Sequence, residues 1–114
     1  MHKMSIGTNY NKKDLILVPY PFTDLSQVKQ RPALVLYKNQ LGDILIAAIT
    51  SNPNPSQENE EITRDNLIKG TPIKPSKVLY MKLFTLSEDQ IIKKLDVLKD
   101  EKYNLIINKI KSTL

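Results

Sequence analysis

The stretch "FTDLSQVKQRPALVLYKN", residues Phe22–Asn39, indicates the fold because a polar loop runs directly into a strand-like segment. The segment "ALVLY" (33–37) has the apolar residues typical of a buried strand. Arg31, one of two arginines in a chain with 15 lysines, stands just before it, joined to Pro32. Proline fixes its own φ and favours an extended backbone in the preceding residue. The pair therefore predicts a guanidinium group held at the start of a strand.

Apolar runs on both sides of this loop predict further strands. In chain order the runs are "DLILVPYPF" (14–22), "ALVLY" (33–37), "ILIAAIT" (44–50) and "VLYMKLF" (78–84). Pro19 and Pro21 require the first strand to end, to bulge or to lie at a sheet edge. Residues 51–63 contain two prolines and three glutamates, which predicts a surface loop. The chain is thus expected to be mainly β.

The last third of the chain combines one ambiguous segment with one clear helix. Residues 87–90, "SEDQ", fit a capping box, and the apolar residues of 91–98 allow either a helix or a strand, with a slight preference for a helix. Residues 100–114 predict an amphipathic helix that Asp100 caps. Its apolar stripe consists of Tyr103, Ile106, Ile107, Ile110 and Leu114.

Length and composition favour one domain over residues 1–114, with 1–11 as a flexible N-terminal segment. No run approaches the roughly 18 apolar residues needed to cross a membrane, and no signal peptide is evident. The absence of cysteine suits a reducing compartment, so we expect a cytoplasmic protein that binds no membrane. The net charge of +5 is concentrated in 1–50 and 74–99, which suits an anionic partner.

The residue types argue against metal and cofactor chemistry. His2 is the single histidine and there is no cysteine, so a zinc site lacks a ligand set. The acidic group Glu58–Glu61 is interpreted as a solvated surface, and three scattered glycines form no phosphate-binding loop. RNA cleavage needs neither a metal nor a cofactor, because the 2′-OH of RNA can attack the adjacent phosphate. The protein must align that attack and stabilise charge on phosphoryl oxygens, a task that suits the planar fork of an arginine.

Three segments resemble the MazF/PemK toxins of type II toxin–antitoxin systems. They are "KKDLILVPYPFTDLSQVKQRPALVLYKN" (12–39), "DILIAAITSN" (43–52) and "KPSKVLYMKLFTLS" (74–87). The resemblance implies an SH3-like barrel of the CcdB/MazF type with a C-terminal helix, in a homodimer. It implies a metal-independent endoribonuclease that cuts single-stranded RNA at short sequences, leaving 2′,3′-cyclic phosphate and 5′-OH ends. It also implies a cognate antitoxin, whose complex with the toxin binds DNA, and a strand after the "SEDQ" turn.

Position by position, the resemblance makes Arg31 and Thr50 the catalytic pair, with Ser51 beside them on the substrate. Arg31 would stabilise the phosphorane, and Thr50 would hydrogen-bond the scissile phosphate. Two departures from the family pattern are evident. Lys13-Asp14 replaces the usual Gly-Asp at the start of the first strand, and Ser26 and Gln27 occupy the loop where some members carry a glutamate. Ser26 and Gln27 are therefore predicted to bind substrate, and no general base is evident.

Basic residues near these positions complete the predicted site. Lys29, Lys77 and Lys82 are candidates for contacts with phosphates that flank the cut. Two other functions stay open: a non-catalytic nucleic-acid-binding barrel, and a CcdB-like gyrase poison. The chain has no tryptophan and ends Lys-Ser-Thr-Leu, unlike the C-terminal Trp-Gly-Ile of the gyrase poisons. A purely structural role for Arg31, as a salt bridge to Asp24 that closes the loop, is the remaining alternative.

Overall fold

A computed structural model describes residues 9–20 and 29–114 and shows a mainly β protein with a C-terminal helix. The strands are β1 (Asp14–Tyr20), β2 (Lys29–Lys38), β3 (Asp43–Thr50), β4 (Glu60–Ile62), β5 (Ser76–Ser87) and β6 (Lys93–Val97). Short 3₁₀ helices cover Arg64–Asn66 and Glu88–Gln90, and helix α1 covers Asp100–Thr113. The predicted fold class is confirmed.

The six strands form one antiparallel sheet in the order β4-β5-β3-β2-β1-β6. Register shifts interrupt three of the ladders, at Leu15/Ile16, Val35/Tyr37 and Ala47/Ala48. Such bulges bend strands and increase their twist. The sheet therefore curls into a half-barrel, the form expected of an SH3-like barrel.

Two apolar cores lie on the two faces of this bent sheet. One core includes Leu34, Ala47 and Val78 and is covered by Tyr103 and Ile106 of α1. The other core contains Tyr10, Ile16, Val18, Ala33, Val35, Ile44, Ile46, Leu86 and Ile91. Because neighbouring residues of β2 and β3 alternate between the cores, these strands are apolar on both faces, as their uninterrupted sequence predicts.

Both prolines in the described strands lie where one neighbour is missing. β6 pairs with β1 only from Asp14 to Leu17, so Pro19 lies beyond that ladder. Pro32 pairs with Leu17, whereas pairing with β3 begins at Ala33. Of the three alternatives for the first strand, the structure shows a local edge at Pro19, where β2 is the only described strand that pairs with β1. Pro21 lies outside the described residues.

The segment 87–98 is a 3₁₀ turn followed by a strand, so the preference from periodicity for a helix is wrong and the expectation from the family resemblance is confirmed. The predicted capping box is present, and within it the Ser87 N–H donates to Gln90 Oε1 at 2.9 Å. β6 then pairs with the start of β1. Pairing with β1 overrides the helical spacing of the apolar residues, because it extends the sheet by a strand.

Asp96 in β6 holds the neighbouring connection, residues 69–71, through a buried carboxylate. Its side chain accepts the Lys69 N–H at 3.0 Å, the Thr71 N–H at 3.1 Å and the Thr71 hydroxyl at 2.6 Å. It also accepts the Val97 N–H at 2.6 Å, and the residue is 2% exposed. Burial raises the pKa of this carboxyl, but these hydrogen bonds to the charged form outweigh burial and lower the pKa to about 2.

Helix α1 buries residues of the predicted apolar stripe, but both ends of the helix differ from the prediction. Tyr103 and Ile106 are buried, whereas Leu114 is 89% exposed, so the predicted contact of Leu114 with the sheet is wrong. The helix begins at Asp100, and the N-cap residue is Lys99, so Asp100 is not the cap. Its carboxylate instead lies 2.7 Å from the Nζ of Lys13. The last turn of the chain lies beyond the sheet that α1 covers.

At the start of β1, Lys13 and Asp14 take the place of the Gly-Asp pair that is usual in the family that the chain resembles. Lys13 has a φ of 81°, in the left-handed region that glycine adopts without strain. Asp14 is buried and accepts the Asn11 N–H at 2.9 Å, which closes the turn. Tyr10, within the segment 1–11 expected to be flexible, is 8% exposed and belongs to the second core. Residues 1–8 of that segment lie outside the described residues.

Candidate functional site

The sheet register brings Arg31 and Thr50 together. Ala33 pairs with Ala48 across β2 and β3, and continuing that register by two residues aligns Arg31 with Thr50. Side chains two residues apart on a strand point to the same face. Arg31 is exposed and Thr50 is half-buried. A cation and a hydroxyl that are 19 positions apart in the chain thus lie on one face, two residues beyond the end of the ladder between β2 and β3.

Both residues line an open groove of about 570 Å³ on this face. Apolar side chains of the strands form its base, among them Val18, Ala33, Ile46, Leu79 and Phe84. Its polar lining comes from Arg31, Thr50, Ser51, Asn52, Gln57, Ser76 and Lys82. No salt bridge among residues 9–20 and 29–114 involves Arg31, and Asp24, its alternative partner, lies outside them. The groove combines cationic and hydroxyl groups at one end of an apolar surface.

The Thr50 hydroxyl is held by a backbone N–H group two residues further along the chain. Thr50 Oγ1 accepts the N–H of Asn52 at 3.1 Å, and Asn52 Oδ1 accepts the N–H of Asn54 at 3.0 Å. A hydroxyl has one hydrogen to donate and two lone pairs. With one lone pair engaged by the backbone, the Thr50 hydrogen is available to donate to a ligand oxygen in the groove.

The other predicted substrate residues divide into three groups. Ser51 and Lys82 line the groove with Arg31 and Thr50. Lys77 pairs with Thr50 across β3 and β5 but does not line the groove, and Lys29 is exposed at the start of β2, opposite Tyr20. Ser26 and Gln27 lie outside the described residues, so their predicted role stays a prediction.

Sequence reasoning missed several residues that line the groove. Asn52, Pro55 and Gln57 belong to residues 51–59, the groove loop, which joins β3 to β4. Phe84 on β5 is an aromatic residue that lines the groove, whereas Tyr80 on the same strand is buried in the first core. The placement of the loop directly after Thr50 was the only local signal for these residues.

Glu60 follows the groove loop and is not the solvated carboxylate that its acidic neighbours suggested. Its side chain is 14% exposed, with Oε2 at 2.7 Å from Lys102 Nζ and Oε1 at 2.6 Å from Lys109 Nζ. Burial raises the pKa of Glu60, but the two lysines outweigh it and the net pKa is lowered. The hydrogen bond to Glu60 raises the pKa of Lys109. This three-residue cluster ties β4 to α1.

The described part of the chain offers no group of three His, Cys, Asp or Glu side chains that could hold a metal ion. No helix within it is long and apolar enough to cross a membrane. What the groove can do follows from its donors: a guanidinium and hydroxyls that bind an anion, beside apolar surface that accommodates flat rings.

The described structure is thus a small β protein with a half-barrel sheet, a C-terminal helix and a groove lined by cationic, hydroxyl and apolar side chains. Residues 11–114 match the family described as PemK-like, MazF-like toxin of type II toxin-antitoxin system. The chain belongs to this family. Comparison with curated proteins gives no significant match. Membership in a type II toxin family implies a protein antitoxin as partner.

Proposed function

We propose that this toxin is a metal-independent, sequence-specific endoribonuclease that cuts single-stranded RNA. The observation that carries the proposal is that Arg31 and Thr50 line the same groove. The RNA 2′-OH supplies the nucleophile, so the protein needs only to position the phosphate and stabilise its charge. A guanidinium and an oriented hydroxyl suit that task.

The reaction is an in-line transfer within the RNA backbone. The 2′-oxygen bonds to the adjacent phosphorus as its proton passes to solvent water, and the bond from phosphorus to the 5′-oxygen breaks as that oxygen takes a proton from water. The products are a 2′,3′-cyclic phosphate and a 5′-OH. The Arg31 fork binds the non-bridging oxygens as their charge grows, and Thr50 Oγ1 donates a hydrogen bond to one of them.

The surroundings favour unpaired RNA. The half-buried Phe84 offers its ring in the groove to bases that are not stacked in a duplex. Lys82 in the groove and Lys77 beside Thr50 add positive charge for neighbouring phosphates. Ser51, Asn52 and Gln57 line the groove and can contact base edges. Ser26, Gln27 and Lys29 would extend the substrate contacts.

The proposal includes a cytoplasmic homodimer of one-domain chains held inactive by the antitoxin. The homodimer and the antitoxin follow from the family resemblance, the single domain from the length of the chain, and the cytoplasmic location from the absence of cysteine. The positive net charge suits an acidic antitoxin segment. Sedimentation of the purified protein tests the dimer. A species of about 13 kDa would contradict it.

The deciding experiment is a cleavage assay in EDTA with one long unstructured RNA that contains every short motif. Wild type, Arg31→Ala and Arg64→Ala are compared, and the new ends are mapped. Arg64 is exposed in the 3₁₀ helix Arg64–Asn66 and does not line the groove, so its variant controls for the loss of an arginine charge. Discrete cuts with 5′-OH ends, lost only in Arg31→Ala, would support the proposal. Uncut RNA from folded wild type would instead favour a non-catalytic binding barrel.

A further inference from the structure

The groove loop, residues 51–59, is held at both ends by side chains. At its start, Thr50 Oγ1 accepts the Asn52 N–H at 3.1 Å, so the loop begins on the proposed catalytic hydroxyl. At its end, Glu60 opens β4, a three-residue strand at the edge of the sheet. The hydrogen bonds inside the loop are local, joining Asn52 to Asn54 and Gln57 to Asn59. The fixed position of the loop therefore depends strongly on its ends.

Glu60 connects the end of this loop to the helix on the other face of the sheet. Lys102 and Lys109 of α1 each bind one oxygen of its carboxylate, at 2.7 and 2.6 Å. Lys109 Nζ also lies 5.9 Å from the ring centroid of Tyr80 on β5, which fixes the lysine from a second side. At 14% exposure this carboxylate is shielded from water, where an ion pair is worth more than at the surface.

We infer that Glu60 is a positioning residue: its clamp by Lys102 and Lys109 fixes the groove loop for RNA binding. The inference rests on the proposed function, because the loop residues Ser51, Asn52, Pro55 and Gln57 line the groove where RNA would lie. Without the two lysine contacts, this end of the loop is held, within the described residues, only by the pairing of the three-residue strand β4 with β5 and by burial of Ile62. The groove then loses its preformed shape, and RNA must order the loop as it binds.

The direction of the change in RNA affinity distinguishes a positioning role of Glu60 from a purely electrostatic one. Removing a negative charge near a phosphate-binding groove strengthens RNA binding if charge alone matters. Loss of the clamp weakens RNA binding instead. Glu58→Gln is the matched control, because Glu58 is an exposed carboxylate within the same loop and the substitution removes the same charge.

The experiment compares wild type, Glu60→Gln, Glu58→Gln and the double variant Lys102→Gln/Lys109→Gln by two readouts. Amide hydrogen exchange of residues 51–59 requires no activity, and steady-state cleavage of the long RNA separates KM from kcat. We expect Glu60→Gln and the double lysine variant to speed exchange about fivefold or more. We expect Glu60→Gln to raise KM several-fold with little change in kcat, and Glu58→Gln to leave exchange unchanged without raising KM.

The exchange rates test whether the lysines clamp the loop, and the KM values test whether the clamp positions it for RNA. Unchanged exchange in Glu60→Gln overturns the clamp whether or not the protein is a nuclease. Faster exchange with an unchanged KM overturns the positioning role. If wild type cuts no RNA, the proposed function fails, and affinity for the uncut RNA replaces KM as the test of positioning. If Glu60→Gln does not fold, the double lysine variant decides by the exchange readout, because its substitutions lie on the opposite face from the groove.

Discussion

Substituting Asp96 with asparagine tests how the fold depends on one buried carboxylate. The side chain is 2% exposed in a shell of four donors: the Thr71 hydroxyl and the N–H groups of Lys69, Thr71 and Val97. Asparagine keeps the shape but has one acceptor oxygen and turns an NH₂ group towards donors. The substitution removes the charge and leaves at least one buried donor without an acceptor.

The magnitude follows from the pKa of about 2 against 3.8 for an unperturbed aspartate. Each pKa unit corresponds to about 1.4 kcal/mol, so ionised Asp96 contributes roughly 2.5 kcal/mol to the free energy of unfolding at neutral pH. The folded-state pKa is the lower one, so this stability is fully present well above pH 3.8. It declines as the pH falls through that value towards 2. About half of the contribution should remain at pH 3.

Urea denaturation of wild type and Asp96→Asn at pH 7, 5 and 3 measures the effect. We expect the variant to be less stable by at least about 2.5 kcal/mol at pH 7, which lowers Tm by roughly 10 °C. The gap should narrow by about 1 kcal/mol at pH 3, because wild type loses stability that the variant lacks. Asp65→Asn, an exposed carboxylate in a 3₁₀ helix, is the control and should be nearly neutral. A gap that stays constant from pH 7 to pH 3 would refute the charged-carboxylate account.

Three further substitutions have defined outcomes. Arg31→Lys keeps the charge but loses the bidentate fork, so RNA cleavage should fall about 10²-fold or more with folding unchanged; activity within a few-fold of wild type would contradict the role of the fork. Thr50→Val removes the hydroxyl at constant shape and should lower kcat about 10²-fold; a change confined to KM would count against transition-state stabilisation. Tyr103→Phe removes the 2.7 Å hydrogen bond to the Leu36 carbonyl and should cost about 1 kcal/mol in urea denaturation, whereas no loss would show that water replaces the phenol.

The strands that the sequence predicted are those whose apolar residues face both cores. The runs 33–37, 44–50 and 78–84 all lie within observed strands. Burial of both faces of a strand requires a nearly continuous apolar run, which the local sequence displays. β4 was missed, since Glu60-Glu61-Ile62 has one apolar residue and owes its conformation to pairing with β5. Strand β6 was separable from a helix only by the family resemblance, because its partner β1 lies at the other end of the chain.

The residues of the candidate site also differ in whether the local sequence predicts them. Arg31 and Thr50 carry local signals, a proline neighbour and a strand end, and the register then aligns them. Glu60 carries a misleading signal, because its acidic neighbours suggest a solvated surface and its partners Lys102 and Lys109 are more than 40 positions away. Long-range ion pairs depend on tertiary placement, which a single sequence does not display.

The pairing of β1 with β6 has a consequence for how the chain acquires its structure during synthesis. Asp14 pairs with Val97, so roughly 80 residues separate partners in one ladder, and at 5–20 residues per second a ribosome needs about 4–16 s to make them. Meanwhile β1 and β2 can form a hairpin, but one edge of β1 stays open and α1 cannot yet cover the first core. Non-local pairing of this kind folds slowly, in milliseconds to seconds. A nascent toxin therefore completes its sheet only after β6 has been made, and an exposed strand edge is available to other chains until then.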